Sequence, residues 1–236
     1  MQKILHRAKE RGEGEHGWLH SRFSFSFADW YEPNKMGFGA LRVWNDDVIE
    51  PSSGFPMHAH KDMEIITIVL EGAVTHKDSM DNVGVVNAGE VQVMSAGTGV
   101  THSEYNASPD QKLKLFQLWI QPKTNNVVPQ YAQYAFPQPR QNYAQELVSP
   151  IGGKRRLMIN QDAYVSRMFI DQGATVAYDL KVGGNGAYIF VVDGAIEVAG
   201  EDLGSRDAIG LSDVTTVKME ATQETQVLIV EVPMSA

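Results

Sequence analysis

Four side chains fall into two pairs with the same spacing. His58 and His60 stand two apart in Phe55-Pro56-Met57-His58-Ala59-His60, and His102 and Glu104 repeat that interval in Thr101-His102-Ser103-Glu104-Tyr105. On a strand, residues i and i+2 share a face and lie about 7 Å apart. Two such pairs on neighbouring strands would point three imidazoles and one carboxylate into a common interior. Nitrogen and oxygen donors without sulfur suit a divalent transition ion, Fe(II) first, with Mn(II), Ni(II), Co(II), Cu(II) and Zn(II) accepted by the same set. Four ligands leave one or two positions of a five- or six-coordinate ion open to a guest, although four also satisfy a closed structural zinc.

Glu64 competes for the acidic position, because His-x-His-x-x-x-Glu is itself a metal-binding spacing. On a straight strand it lies roughly 13 Å beyond His60 and could return only through a sharp bulge at Lys61–Met63. Glu104 needs no such distortion and is the expected ligand, with Glu64 in a supporting or buried hydrogen bond. All seven histidines lie between His6 and His102, so any imidazole site belongs to the first half. His76 has no partner at ligand spacing and reads as a structural hydrogen-bonding group. His16 and His20 have a helical i, i+4 interval, but Gly12, Gly14 and Gly17 argue against a helix there.

The elements that must position these residues are short. Apolar runs rich in β-branched residues are punctuated by Gly, Asn, Asp and Pro, as in Met63–Leu70, Glu90–Met94, Leu113–Ile120, Tyr188–Val192, Asp207–Leu211 and Val227–Val232. Helical periodicity is confined to the stretches around Gln130–Tyr134 and Ala28–Tyr31, so the class is all-β. One pattern occurs twice: Val69-Leu70-Glu71-Gly72-Ala73-Val74 is echoed by Val191-Val192-Asp193-Gly194-Ala195-Ile196. In both, an apolar strand ends on an acidic residue and a glycine, as a tight hairpin requires. Ala88-Gly89-Glu90-Val91 similarly matches Ser205-Arg206-Asp207-Ala208, and Leu115–Pro122 matches Leu228–Pro233. The repeat divides the chain into a first unit at 1–122, a Pro-, Gln- and Asn-rich linker at 123–142, and a second unit at 143–236. A β-barrel of this size does not need a metal to fold, which favours a reactive ion over a structural one.

Composition narrows the alternatives. With 43% hydrophobic and 21% charged residues, the 236-residue chain can bury a core. Its 29 acidic and 20 basic residues give a formal charge of −9, which repels nucleic acid and anionic membranes. The local run Lys154, Arg155 and Arg156 reads as a solvated turn. The absence of cysteine excludes disulfides, thiolate metal sites and cysteine nucleophiles. No apolar run has signal-peptide or membrane-spanning length, so a cytoplasmic protein is expected.

The sequence resembles the pirin family of the cupin superfamily over most of its length, most strongly from Gly12 to Pro122. The likeness rests on His16-Gly17-Trp18-Leu19, Phe23-Ser24-Phe25-Ser26-Phe27, Leu41-Arg42-Val43-Trp44-Asn45-Asp46-Asp47, Gly54–Gly72 and, most specifically, Met94-Ser95-Ala96-Gly97-Thr98-Gly99-Val100-Thr101-His102-Ser103-Glu104. It implies two tandem cupin-type β-barrels, with the metal held by His58, His60, His102 and Glu104 in the first. The repeat places Leu180 and Val182 where His58 and His60 stand, implying a second barrel without a metal site. Bacterial pirin-like proteins resemble quercetin 2,3-dioxygenases. On that implication the substrates are a flavonol-like molecule and O₂, the central ring opens with release of CO, and Glu104 is the general base for the substrate 3-hydroxyl. Phe38 and Phe55 are candidate wall residues by proximity. The family also implies a rival reading, a metal-dependent regulatory module with a protein partner; a third is another cupin enzyme acting on a small oxygenated metabolite.

Overall fold

The computed structural model of the protein describes residues 1–153 and 155–234. Among them the only helical segment is the 3-10 turn Ala8–Glu10, and no helix is long and apolar enough to cross a membrane. After β1 (Gln2–His6), the N-terminal barrel is built from β2 (Gly12–Glu15), β3 (Leu19–Phe23), β4 (Leu41–Ile49), β5 (Gly54–His60), β6 (Glu64–Glu71), β7 (Ala73–Asp78), β8 (Val83–Asn87), β9 (Glu90–Ser95), β10 (Val100–Asn106) and β11 (Leu113–Ile120). The strand β12 (Gln130–Ala135) follows. The C-terminal barrel comprises β13 (Gln145–Ser149), β14 (Leu157–Met158), β15 (Tyr164–Ile170), β16 (Thr175–Asp179), β17 (Asn185–Asp193), β18 (Ala195–Val198), β19 (Glu201–Gly204), β20 (Ala208–Ser212), β21 (Thr216–Ala221) and β22 (Thr225–Pro233).

Each barrel pairs a seven-stranded sheet with a four-stranded one. In the first the orders are β12-β9-β6-β11-β4-β3-β2 and β5-β10-β7-β8; in the second they are β1-β20-β17-β22-β15-β13-β14 and β16-β21-β18-β19. The repeated hairpins occupy equivalent places, β6 to β7 and β17 to β18, with Gly72 and Gly194 at φ +78° and +90° in the left-handed region. At Gly194 a Cβ would also run into the Glu224 carbonyl oxygen.

Alternation along the strands sorts side chains between two destinations. On β6, Ile65, Thr67 and Val69 face the barrel interior, while Ile66 and Ile68 face the other barrel and join the core formed between the two large sheets. Trp44 stacks on Phe190 across that interface, with ring centroids 4.5 Å apart, and Phe116 meets the same ring edge-on. Arg11 and Arg206 both reach Asp46 there, at 3.3 and 2.9 Å. The barrels thus join back to back through a buried aromatic layer with a small ionic cluster set into it.

The unit boundaries read from the sequence need correction. β1, inside the first unit, pairs with β20 of the second, and β12, inside the supposed linker, pairs with β9 of the first. An edge strand exposes a row of unpaired backbone donors and acceptors. Here the strand leading into each barrel covers the corresponding edge of the other. His6 Nδ1, 2.9 Å from the Tyr188 hydroxyl, anchors β1. The same pairing explains why Gln130–Tyr134 is a strand and not a helix, and Ala28–Tyr31 falls in a turn closed by the Phe27 to Trp30 bridge. In the basic run Lys154–Arg156, Lys154 lies outside the described residues, and Arg156 pairs with Glu146 at 2.8 Å.

Trp44 is fully buried and contacts three aromatic rings at the interface, Phe116, Tyr188 and Phe190. Trp44→Ala is expected to lower unfolding stability by about 3–5 kcal/mol, measured by urea denaturation.

Candidate metal centre

The four-stranded sheet of the N-terminal barrel carries the two predicted pairs on adjacent antiparallel strands. His58 on β5 lies directly opposite His102 on β10. A register shift between His102 and Glu104 then sets Glu104 opposite Phe55. The ring centroids of His58, His60 and His102 are 4.4 to 4.9 Å apart. One nitrogen from each falls within 4.8 Å of those of the other two. Glu104 groups in the same way with His102 and His76, and it lines a common cavity with His58 and His60. The structure therefore brings all four predicted side chains to one place, with His76 behind them.

Electrostatics keep the imidazoles available as donors. Burial, reinforced by the neighbouring rings, pushes the pKa of His60 down to about 4 and that of His102 down to about 3. Both are neutral at pH 7. His58 Nδ1 donates to the Pro56 carbonyl at 2.7 Å, which leaves Nε2 as the free lone pair. His102 is buried and neither of its ring nitrogens has a hydrogen-bond partner. A buried imidazole with two unsatisfied nitrogens beside two more imidazoles and a carboxylate fits a divalent cation.

The carboxylate is held from the facing sheet. Gln92, Thr67, Gln117 and Asn45 are successive ladder partners across β9, β6, β11 and β4, forming a lateral polar row in an otherwise apolar wall. Gln92 Nε2 donates to Glu104 Oε1 at 2.5 Å and Gln117 Nε2 to Oε2 at 2.9 Å. The Thr67 hydroxyl sits 3.2 Å from Oε1 and accepts from Gln92 Nε2 at 3.0 Å. These residues were not singled out in the sequence. Their signal is one polar residue in the middle of each of three apolar runs, at Thr67, Gln92 and Gln117.

Glu64 goes elsewhere. It shares the parity of Ile66 and Ile68, so its side chain points away from the interior that Thr67 enters. It is completely buried, accepts from Ser95 Oγ at 2.6 Å, and is pushed upward in pKa by that burial. His76 does make a structural hydrogen bond, with Nε2 3.1 Å from Asp78 Oδ2, and it stacks on Tyr131 at 4.2 Å. His20 pairs with Glu15 at 3.0 Å. His16 stands at the mouth of the cavity.

That cavity holds about 390 Å³ and is walled by Trp18, Phe23, Phe27, Phe55 and Trp119. Phe55 is a wall residue as expected. Phe38 is not: it packs on Tyr188 between the barrels, with centroids 5.8 Å apart. In the second barrel the ladder shows that the equivalents of the ligand positions are two residues earlier than the sequence repeat suggested. Tyr178 faces Val217 where His58 faces His102, and Val198 faces Met219 where His76 faces Glu104. All four belong to one apolar core, so among the described residues no imidazole cluster stands at these positions.

Two back-to-back barrels, one lined by an imidazole cluster and the other filled with apolar side chains, define a bicupin with a single metal-competent site. Residues 5–120 match the Pirin family and residues 146–232 match the quercetinase C-terminal cupin domain. The sequence is 42% identical over 229 residues to a quercetin 2,3-dioxygenase of Escherichia coli K12, covering 97% of this chain and 98% of that protein. A pirin-like protein of Caulobacter vibrioides is 41% identical over 222 residues, covering 93% and 95%. Among solved structures, the bacterial pirin YhhW of Escherichia coli in complex with nickel(II) superposes with a TM-score of 0.93 at 41% identity, covering 98% of this chain and 99% of that one. The chain belongs to the pirin family.

Two outcomes are expected from this geometry. Glu104→Ala should lower metal content after gel filtration to a small fraction of the wild-type value, whereas Glu64→Ala should leave it unchanged, as measured by elemental analysis. In the metal-free protein, the unfolded chain protonates His102 near pH 6.5 while the folded chain resists until about pH 3. His102 therefore removes stability progressively as pH falls through that window. His102→Gln should lose less stability than wild type between pH 6.5 and pH 4, read from urea unfolding at each pH.

Proposed function

We propose that the protein is a metal-dependent dioxygenase of the quercetinase type, which opens the central ring of a flavonol with O₂ and releases CO. The observation that carries this reading is the aromatic-walled cavity that ends on His58, His60 and the buried carboxylate of Glu104, with His102 grouped beside the two imidazoles. Its volume lies within the range of small-molecule pockets, and its walls match a flat, largely apolar guest. The identity with a quercetin 2,3-dioxygenase over almost the whole chain supports the same conclusion.

His58, His60, His102 and Glu104 would hold the ion, with Fe(II) the favoured metal for this nitrogen and oxygen donor set. When bound, a divalent cation acidifies a hydroxyl that coordinates it. The residues of the chain do the rest. Glu104 accepts the proton of the substrate 3-hydroxyl as general base. Gln92 and Gln117 fix the two carboxylate oxygens from opposite sides, so that orientation is set before the substrate arrives. Trp18, Phe55 and Trp119 clasp the rings and limit water at the reacting end.

The direct test is to load purified protein with Fe(II) under anaerobic conditions, add quercetin, and then admit O₂. The expected result is loss of flavonol absorbance with CO trapped in equal amount, and Glu104→Ala should reduce the rate by at least about a hundredfold. Loss of flavonol without CO, or no loss at all, would overturn the reading.

A further inference from the structure

The cavity has a second polar edge, and it lies on the sheet facing the histidines. Ser21 on β3 and Asp47 on β4 are direct ladder partners, and Asn45 is the next residue on the same face of β4. Their neighbours Trp44 and Asp46 point to the other barrel, so alternation commits all three to the interior. They are 2%, 2% and 4% exposed, and each borders the cavity. Asp47 stands one step beyond the polar row that grips Glu104, roughly 7 Å along the strand from Asn45.

Two of these groups are under-satisfied, as is the indole Nε1 of Trp119 on the same wall. Asp47 Oδ1 accepts from Ser21 Oγ at 2.6 Å, and this is the only hydrogen bond its side chain makes among the described residues. Asn45 Oδ1 is buried without any partner. Among the described residues no lysine or arginine lines the cavity, whose other polar members are His16, His58, His60, Glu104 and Gln117. Burial raises the Asp47 carboxyl to about 7. A buried carboxyl group with one partner, set in an aromatic wall, is costly unless a ligand supplies the missing contact. The ionised group would receive a hydrogen bond from a hydroxyl, and the protonated group could also donate one, so a phenolic hydroxyl satisfies either form.

We propose that Asp47, oriented by Ser21 and flanked by Asn45, is a specificity determinant that hydrogen-bonds a second ring hydroxyl of the substrate, selecting polyhydroxylated aromatics over their unsubstituted analogues. This rests on the flavonol reading above and extends it from one hydroxyl, the one Glu104 deprotonates, to a second that fixes the pose. Sites that hydrogen-bond a substrate hydroxyl discriminate strongly against analogues lacking it, because the buried protein group is then left unpaired.

The test measures binding without turnover. Fe(II)-loaded protein is titrated anaerobically with quercetin, which carries hydroxyls on its outer rings, and with 3-hydroxyflavone, which has only the 3-hydroxyl, following tryptophan fluorescence. Wild type is expected to bind quercetin at least about tenfold more tightly. Asp47→Leu, which keeps the volume and removes both oxygens, should weaken quercetin binding by about tenfold or more and leave the 3-hydroxyflavone Kd within twofold. Ser21→Ala should produce a smaller loss in the same direction, and it carries the test alone should Asp47→Leu not fold. Equal Kd values for quercetin in wild type and both variants would overturn the role of Asp47 while leaving the flavonol reading intact. Failure of both flavonols to bind the loaded wild-type protein would overturn the flavonol reading and this proposal together.

Discussion

The structure turns on a carboxylate buried at 2% exposure and gripped by side-chain donors from strands of the opposite sheet. Such a group is tolerated inside a barrel only if its oxygens are satisfied, and here the partners come from a row of polar residues that are neighbours across the ladder. The row must be in register to work. A slip of one residue on β9, β6 or β11 would turn its polar member toward the aromatic interface and bring an apolar residue against Glu104. The pairing of the large sheet and the position of the site are therefore one constraint.

That constraint accounts for the asymmetry between the barrels. They share strand order and hairpins, yet where the first places His58, His102, His76 and Glu104 the second places Tyr178, Val217, Val198 and Met219. A mostly apolar core is the less demanding way to fill a barrel, since most side chains gain from burial alone; here the Tyr178 hydroxyl is satisfied by donating to Glu231 at 3.0 Å. The C-terminal barrel also serves the first one mechanically. Its large sheet presents Tyr188 and Phe190 to Trp44 and Phe116, stiffening from behind the sheet whose front carries Gln117 and Asn45.

Much of this was legible in the residues. The i, i+2 pairs, the hairpin repeat and the limits of strands such as Leu113–Ile120 depend on local spacing, which a sequence displays directly. The expectation of Glu104 over Glu64 as the acidic ligand came from distance along the strand, and side-chain parity on β6 supports it. What stayed hidden depends on which strands become neighbours. Thr67, Gln92 and Gln117 look like unrelated polar interruptions until β9, β6 and β11 are laid side by side. Asp47 is not distinguishable from Asp46 in the sequence until alternation places the two on opposite faces of β4. The two-residue offset at Tyr178 arises because the path to the repeated hairpin is two residues longer in the second barrel, from Tyr178 to Gly194, than in the first, from His58 to Gly72.

The exchanged edge strands bear on how the chain is made. Residues 2–6 leave the ribosome long before their partners at 208–212. Throughout synthesis the leading segment has no place to dock, while the first barrel can close as soon as residues 130–135 emerge to cover its edge. The candidate metal pocket can thus be complete before the second barrel is, and β1 can dock only once β20 has been made.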